Sequence, residues 1–149
     1  MKSKAMRVQQ YKPGPKDLAR IVNLFSLFNR RVRGPQYKPV NVGFKAIVPD
    51  AGCVGELVAM RLWGRLEITL LIVTEEYRKQ GVGGQLLDTA EAYARRNKLA
   101  GIHLWTPSFQ GEGFYESRGY KELGRMPLKI PKHFGGEMQY HIIYYKEFG

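Results

Sequence analysis

A glycine-rich turn between a predicted strand and a predicted helix constrains this chain most. Residues 68–73 read Ile-Thr-Leu-Leu-Ile-Val, residues 78–84 read Arg-Lys-Gln-Gly-Val-Gly-Gly, and a helical pattern follows over 85–96. A strand that ends in a glycine turn and continues as a helix leaves backbone N–H groups unpaired at the positive end of the helix dipole. Residues 78–84, called the glycine loop below, are therefore predicted to bind phosphate.

The spacing of the glycines excludes two common phosphate-binding motifs. A P-loop needs Lys-Ser or Lys-Thr after its last glycine, and neither pair follows here. A dinucleotide-binding fingerprint would place Gly or Ala where this chain has Leu86. The pattern that remains is [RQ]-x-x-G-x-[GA], filled by Arg78, Gly81 and Gly83. On this loop alone, a glycine-rich helix start without a ligand stays an alternative.

Length and composition predict one soluble globular domain over residues 1–149. The chain is 44% apolar and 25% charged, which is typical of globular proteins with a full core. Cys53 is the only cysteine, so no internal disulfide can form, as in a reducing cytoplasm. Neither a secretory leader nor an apolar run of ~18 residues is recognisable, and we expect a cytoplasmic protein. The three histidines lack ligand spacing, so no metal is expected.

The positive charge is concentrated in the first third of the chain. Residues 1–45 contain 11 Lys or Arg and one acid, Asp17, and so carry +10 of the net charge of +11. Such a field attracts an anionic substrate, partner or nucleic acid, although a solvated basic face is the simpler interpretation. The interleaving of aromatic and basic residues that is typical of RNA-binding surfaces is missing, which makes nucleic acid an unfavoured partner.

Hydrophobic patterns predict one mixed α/β sheet. Strands are expected over 6–11, 42–48, 53–63, 66–73, 101–106, 120–126 and 138–145, and helices over 17–33, 83–97 and 111–117. Turns at 49–52 and 64–65 make an antiparallel meander, and the strand-helix-strand crossover that follows implies a parallel pair. A loop that carries Pro127 and Pro131 should separate the last two strands.

A second motif, Phe114-Tyr115-Glu116-Ser117-Arg118-Gly119-Tyr120, follows the glycine loop after one predicted strand. It resembles the F-Y-x-x-x-G-[FY] pattern of the GNAT superfamily of acyl-CoA-dependent N-acetyltransferases, whose pyrophosphate loop the glycine loop also resembles. The order of elements over roughly 40–149 is similar to that family, and Leu62-Trp63-Gly64 and Ser108-Phe109-Gln110 are similar to a group of its small single-domain members. The resemblance implies a GNAT-type fold with acetyl-CoA as co-substrate and no metal.

By this resemblance, the main chain of Leu71, Ile72 and Val73 bonds pantetheine and polarises the thioester carbonyl. The resemblance also implies that the backbone amides of the loop hold the pyrophosphate; these belong to Gln80, Gly81, Val82, Gly83 and Gly84. The side chains of Arg78 and Lys79 would add positive charge at the mouth of this site. Many members carry Asn seven residues before the motif tyrosine, but this chain has Ser108 there and Gln110 two positions later. Both side chains are candidates for the pantetheine contact, beside Phe114 and Tyr115.

Tyr115 is the candidate general acid, because the resemblance places this tyrosine next to the thioester sulfur. A phenol of pKa ~10 can protonate a departing thiolate whose thiol has a pKa near 8.5. The alternative is a core tyrosine whose ring packs and whose hydroxyl bonds the backbone.

Glu67 is the candidate general base. An alkyl amine of pKa ~10.4 is rarely neutral at pH 7, which favours a base in the site. Strand periodicity is expected to place Glu67 on one face with Thr69, Leu71 and Val73, where a carboxylate needs a partner or a task. The alternative is an exposed glutamate paired with Arg65.

The function predicted from the sequence is transfer of an acetyl group from acetyl-CoA to a primary amine by direct attack. The acceptor, a small molecule or a peptide, is expected against the first helix and the loops near Leu62-Trp63 and Pro107-Phe109. The alternatives are an acyl-CoA-binding or regulatory domain without turnover and a nucleic-acid-associated protein that uses residues 1–45. Dimers are common in the family, so a homodimer is a further expectation from the resemblance.

Overall fold

The computed structural model describes residues 6–34, 38–129 and 137–149, and the chain divides into two compact units, 1–38 and 39–149. The single domain predicted over 1–149 stays a prediction. Among the described residues, no helix combines the length and the apolar character that crossing a membrane requires.

The first unit contains helix α1, Pro15–Arg33, two residues longer at its start than predicted. Proline at the first helical position, Asp17 in the first turn and Arg30, Arg31 and Arg33 in the last turn all suit the helix dipole. The strand predicted over 6–11 is wrong, because residues 6–14 form neither helix nor strand. Loose alternation of side chains is not sufficient for a strand, whose N–H and C=O groups need a paired neighbour.

The second unit is a six-stranded sheet with one long helix. Its elements are β1 Val40–Val48, β2 Gly52–Leu62, β3 Arg65–Val73, α2 Val82–Arg96, β4 Gly101–Pro107, α3 Ser108–Gly111, β5 Lys121–Leu128 and β6 Gln139–Glu147. The strand order is β1-β2-β3-β4-β6-β5, and every neighbouring pair is antiparallel except the parallel pair β3–β4. The predicted meander and crossover of a GNAT-type mixed sheet are therefore confirmed.

Helix α2 packs on one face of the sheet and makes the core there. The helix contributes the buried side chains Leu86, Leu87, Ala90 and Ala94, and the strands contribute Leu57, Leu66, Ile102, Leu104, Ile142 and Tyr144. This face is called the core face below, and the other is called the opposite face. An apolar helix stripe against an apolar sheet face is the arrangement that the sequence periodicity favours.

Two further predictions about the last third are wrong in detail. The predicted helix over 111–117 is instead α3 followed by a separate 3-10 turn at Glu116–Arg118. Gly113, between them, has a φ of 88°, which interrupts the helical conformation. Pro127 lies within β5 rather than in a loop. β5 is an edge strand, where a proline lacking an N–H is tolerated. Pro131 lies outside the described residues.

Candidate functional site

The parallel strands β3 and β4 separate partway along their length. They pair only at Leu66–Ile102, Glu67–His103 and Ile68–Leu104. Beyond Ile68 the two strands diverge, and a cavity opens between residues 68–71 of β3 and 104–106 of β4. The opening between the diverging strands is called the strand split below. The edge of β3 that faces it has backbone groups free to bond an extended ligand.

A β-bulge at Thr69 changes which residues of β3 share a face. Ala59 pairs with Ile68 and Val58 pairs with Leu70, so Thr69 is the extra residue. Leu71, partner of the buried Leu57, and Ile68, partner of Ala59, consequently lie on the core face. Glu67 lies on the opposite face, so the prediction that it shares a face with Leu71 and Val73 is wrong. The bulge breaks the period of two on which that prediction depended.

The glycine loop ends at a left-handed residue that starts helix α2. Gly81 has a φ of 83° and is the N-cap of the helix, and Gln85 donates the first helical hydrogen bond to its carbonyl. The N–H groups of Val82, Gly83 and Gly84 donate no backbone bond to any part of the chain that the structure describes. Three free N–H groups at the start of a helix of 15 residues are the kind of donor set that binds an anion, so the phosphate site stays a prediction that this geometry suits.

A continuous cleft connects the strand split to the glycine loop. Two cavities of about 710 and 630 Å³ share Leu71, Val73, Arg78 and Gln110 in their walls. Between them they bring together most of the predicted donor-binding residues: Leu71, Ile72, Val73, Arg78, Lys79, Gly81, Val82, Gly83, Gly84, Gln110, Phe114 and Tyr115. The volumes are those of a cleft for an elongated cofactor.

Two predicted donor-binding residues are not in the walls of this cleft. Gln80 is predicted to act through its main-chain N–H, and its side-chain Nε2 donates to the carbonyl of Glu76 at 2.7 Å. The buried Ser108 hydroxyl donates to Oε1 of Gln139 at 2.7 Å and accepts the Tyr140 N–H at 3.0 Å, which fixes the start of β6. Of the two candidates for the pantetheine contact, Gln110 lies in the cleft wall, whereas Ser108 is buried and bonded to β6.

Tyr115 lies where the strand split and the cleft meet. Its side chain borders both, and its ring stacks on Tyr144 at 5.5 Å and contacts Tyr120 edge-on at 5.7 Å. Burial raises the pKa of Tyr115 to about 12, and its hydroxyl makes no hydrogen bond to the described residues. The phenol is thus fixed by its ring, protonated at neutral pH, and free to donate into the cleft.

Arg118 is a cleft residue that the sequence analysis missed. Its guanidinium ion-pairs with Asp88 at 2.7 Å and lies 5.6 Å from the Phe114 ring centroid, on the wall of the cleft beside Gly84. Asp88 occupies one guanidinium donor, so others remain available to an anion. The sequence signal for this residue is its position as a basic residue directly before Gly119 of the motif.

Glu67 lies beside His103 on the opposite face of the sheet. The two residues are register partners on β3 and β4, with 3.9 Å between Nε2 of His103 and Oε2 of Glu67. Burial is the main cause that lowers the pKa of His103, with Arg65 acting in the same direction and Glu67 against it. Nδ1 of His103 is buried and has no hydrogen-bond partner in the described residues. Arg65, the alternative partner expected for Glu67, instead forms an ion pair with Glu147 at 2.9 Å.

Comparisons with known proteins agree with this geometry. A family model described as "Acetyltransferase (GNAT) domain" matches residues 41–122. A blasticidin-S acetyltransferase from Streptomyces morookaense is 36% identical over 74 residues, which are 49% of this chain and 54% of the relative. The chain thus spans about half the length of that curated relative.

Solved structures are similar over longer stretches. An acetyltransferase from Bacillus cereus superposes with a TM-score of 0.73 at 23% identity, covering 95% of this chain and 98% of that one. A protein assigned as a streptothricin acetyltransferase, from Bacillus anthracis and in complex with acetyl coenzyme A, gives a TM-score of 0.62 at 25% identity over 74% of this chain and 64% of that one. The ribosomal-protein-S18-alanine N-acetyltransferase from Escherichia coli superposes with a TM-score of 0.61 at 15% identity, covering 92% of this chain and 91% of that one.

The matched segment 41–122 begins in β1 and ends in β5, and it contains both the glycine loop and the motif around Tyr115. The split strands, the free N–H groups at the start of α2 and the cleft between them all lie within it. This chain belongs to the GNAT acetyltransferase family.

Proposed function

We propose that the protein transfers an acetyl group from acetyl-CoA to a primary amine. One observation carries this proposal: a single cleft joins the free N–H groups of Val82, Gly83 and Gly84 to the unpaired edge of β3. The first element suits a pyrophosphate, and the second suits the amide-rich pantetheine arm. A donor held at both places would present its thioester at the strand split, beside Tyr115.

The reaction is a direct transfer in a ternary complex. A neutral amine attacks the thioester carbonyl, the developing oxyanion is stabilised by a backbone N–H of β3, and the C–S bond breaks as the amide forms. After the attack, the amine nitrogen loses one proton and the thiolate gains one, so the products are the N-acetyl amine and coenzyme A.

The raised pKa of Tyr115 refines the acid role proposed for it. Full proton transfer from a phenol of pKa about 12 to a thiolate whose thiol has an ordinary pKa of ~8.5 is uphill by about 5 kcal/mol. Tyr115 therefore stabilises the leaving thiolate mainly by donating a hydrogen bond, and complete transfer waits for the proton released by the amine nitrogen.

The acceptor class follows from the strand split. Leu70 and Trp105 line the cavity there, and Trp105 stacks on His141 at 5.0 Å between ring centroids. The exposed indole of Trp105 in this wall suits a molecule with a flat ring next to its amine. The blasticidin-S relative makes blasticidin S the first acceptor to try.

The test has two stages. Thermal shift with coenzyme A should show stabilisation that grows with ligand concentration, and no shift at millimolar coenzyme A would refute the proposal. A turnover screen with acetyl-CoA against blasticidin S, streptothricin, aminoglycosides and short peptides then identifies the acceptor by thiol release. Binding without turnover of any amine would favour the acyl-CoA-binding domain instead.

A further inference from the structure

Glu67 and His103 lie next to the point where the strands separate. They form the second of three parallel register pairs, and the third, Ile68–Leu104, is the last before the split. Both side chains are about one third exposed and lie on the opposite face, whereas Tyr115 borders the split together with the core-face residues Ile68 and Leu71. Trp105, two residues after His103 on the same face of β4, lines the cavity at the split, so an amine bound against Trp105 would lie near this pair.

The burial of His103 favours a neutral imidazole beside a carboxylate. Burial lowers the pKa of His103, and Arg65 adds to that effect while Glu67 opposes it. The titratable groups on the neighbouring strands are Glu67 and Arg65 of β3 and Tyr145 of β6, the register partner of His103. Arg65 is paired with Glu147, which leaves the Glu67 carboxylate as the group that faces Nε2 of His103.

We infer that His103, rather than Glu67, accepts the proton of the acceptor amine, and that Glu67 stabilises the imidazolium that results. This inference rests on the proposed function and assigns one step of it. As a residue type, an imidazole is a stronger base than a carboxylate, with ordinary pKa values of ~6.5 and ~4.3, and burial, which lowers the pKa of His103, keeps its imidazole neutral at pH 7. Since general base efficiency rises with basicity for a group that is still unprotonated, the neutral imidazole is the better base near pH 7.

The step balances in protons. The ammonium transfers one proton to Nε2 of His103 and becomes a neutral amine. The imidazolium is held by the Glu67 carboxylate until it releases that proton to solvent. The amine then attacks the thioester, and its second proton reaches the thiolate as the C–S bond breaks. The net products are the amide, the coenzyme A thiol and one proton in solvent.

The test compares the pH profiles of His103→Gln and Glu67→Gln. The acceptor is the amine with the highest turnover in the screen above, with blasticidin S as the first probe. If His103 is the base, kcat/KM of the parent falls at acid pH through a pKa below 6.5, and His103→Gln lowers kcat/KM by about 100-fold or more and abolishes that acid limb. Glu67→Gln keeps the limb but moves it to lower pH, because the interaction that raises the pKa of His103 is gone.

Three results would overturn the inference. They are a His103→Gln enzyme within threefold of the parent, an acid limb that persists in His103→Gln, or a limb that vanishes in Glu67→Gln while His103→Gln retains it. His141→Gln, which changes a histidine on β6 that stacks on Trp105, is a control for the shape of the pH profile alone and should leave the limb in place. Coenzyme A binding by both site variants should match the parent, which separates loss of a base from misfolding.

A second measurement does not depend on turnover. A proton NMR titration of the His103 ring should give a pKa below 6.5 in the parent and a lower one in Glu67→Gln. A pKa of His103 that is unchanged in Glu67→Gln would contradict the stabilisation of the imidazolium by Glu67. If coenzyme A fails to bind, the proposed function fails; if acetyl transfer proceeds but these pH effects are missing, only the assignment to His103 fails.

Discussion

The guanidinium of Arg118 occupies the space that a side chain at Gly84 would fill. A Cβ built at Gly84 would lie 2.6 Å from Cζ of Arg118. Gly84 is buried in the first turn of α2 and is not among the residues with positive φ, so its backbone does not require glycine. The contact with Arg118 is the reason for glycine here, and it fixes a cation beside the free N–H groups of the helix.

Gly84→Ala should therefore weaken donor binding while the fold persists. The new methyl group would displace the end of a flexible side chain, not backbone. Loss of a charged hydrogen bond of about 1.5 kcal/mol corresponds to a rise of about tenfold in KM for acetyl-CoA. Gly124→Ala on β5 is the matched control, because a Cβ there meets no atom within 4 Å. A KM that rises no more than in this control would contradict the role of Arg118.

A double variant separates Arg118 from the helix turn itself. If both substitutions act through the guanidinium, Arg118→Gln should raise KM for acetyl-CoA, and adding Gly84→Ala to it should change KM little further. Additive effects would instead show that the methyl group at position 84 obstructs the donor directly. Steady-state kinetics of the four proteins with saturating acceptor decides between these results.

Gly81 and Gly83 should differ in their effect on stability. Gly81 has a φ of 83°, so Gly81→Ala forces a Cβ into the left-handed region at a cost of about 1–2 kcal/mol in the free energy of unfolding. Gly83→Ala carries no such strain, and its Cβ would meet Phe114 at 3.6 Å, an ordinary contact. Urea unfolding of both variants measures the difference. Equal losses would show that φ is not the cause.

Much of the site could be predicted because its parts are local in sequence. The glycine loop and the Phe114-Tyr115 motif each depend on residues a few positions apart, and residues of both line one cavity. The face of Glu67 could not be predicted in this way. The bulge at Thr69 exists because the β2–β3 ladder admits one extra residue, and alternation along β3 alone carries no trace of it.

His103 and Arg118 were missed for a related reason. His103 depends on the register between β3 and β4, which joins residues far apart in the chain. Arg118 depends on the contact of a 3-10 turn with α2, and Asp88, which holds it, is 30 residues away. A single sequence shows each as an isolated polar residue. Only the helix packing brings Arg118 to the cleft wall, and only the sheet register brings His103 beside Glu67.

Ser108 and Gln110 should prove to have separate roles. Ser108→Ala removes a buried hydroxyl that bonds both Gln139 and the Tyr140 N–H, so we expect a loss of about 1–3 kcal/mol in stability with little change in KM for acetyl-CoA. Gln110→Ala, at an exposed position in the cleft wall, should raise that KM and leave stability unchanged. The opposite pattern in thermal unfolding and kinetics would return the pantetheine contact to Ser108.

Tyr115→Phe should lower kcat by about ten- to a thousandfold with little change in KM for acetyl-CoA, because the ring that packs on Tyr144 and Tyr120 is retained and only the hydroxyl is lost. Tyr120→Phe is the matched control, since its hydroxyl is buried and lines none of the described cavities. A Tyr115→Phe enzyme within twofold of the parent would show that the hydroxyl does not assist the thiolate.

His103 also predicts how stability depends on pH. Its pKa in the folded protein is lowered by burial from the ordinary 6.5, so the unfolded chain binds a proton more readily than the folded one. The contribution of His103 to stability is therefore complete above pH 6.5 and is lost as pH falls from 6.5 towards the folded pKa. Thermal unfolding at pH 7.5 and pH 5 should show a larger fall in Tm for the parent than for His103→Gln. Other titrating groups are common to both proteins and cancel in the difference, so equal falls would mean that burial does not disfavour the charged imidazole.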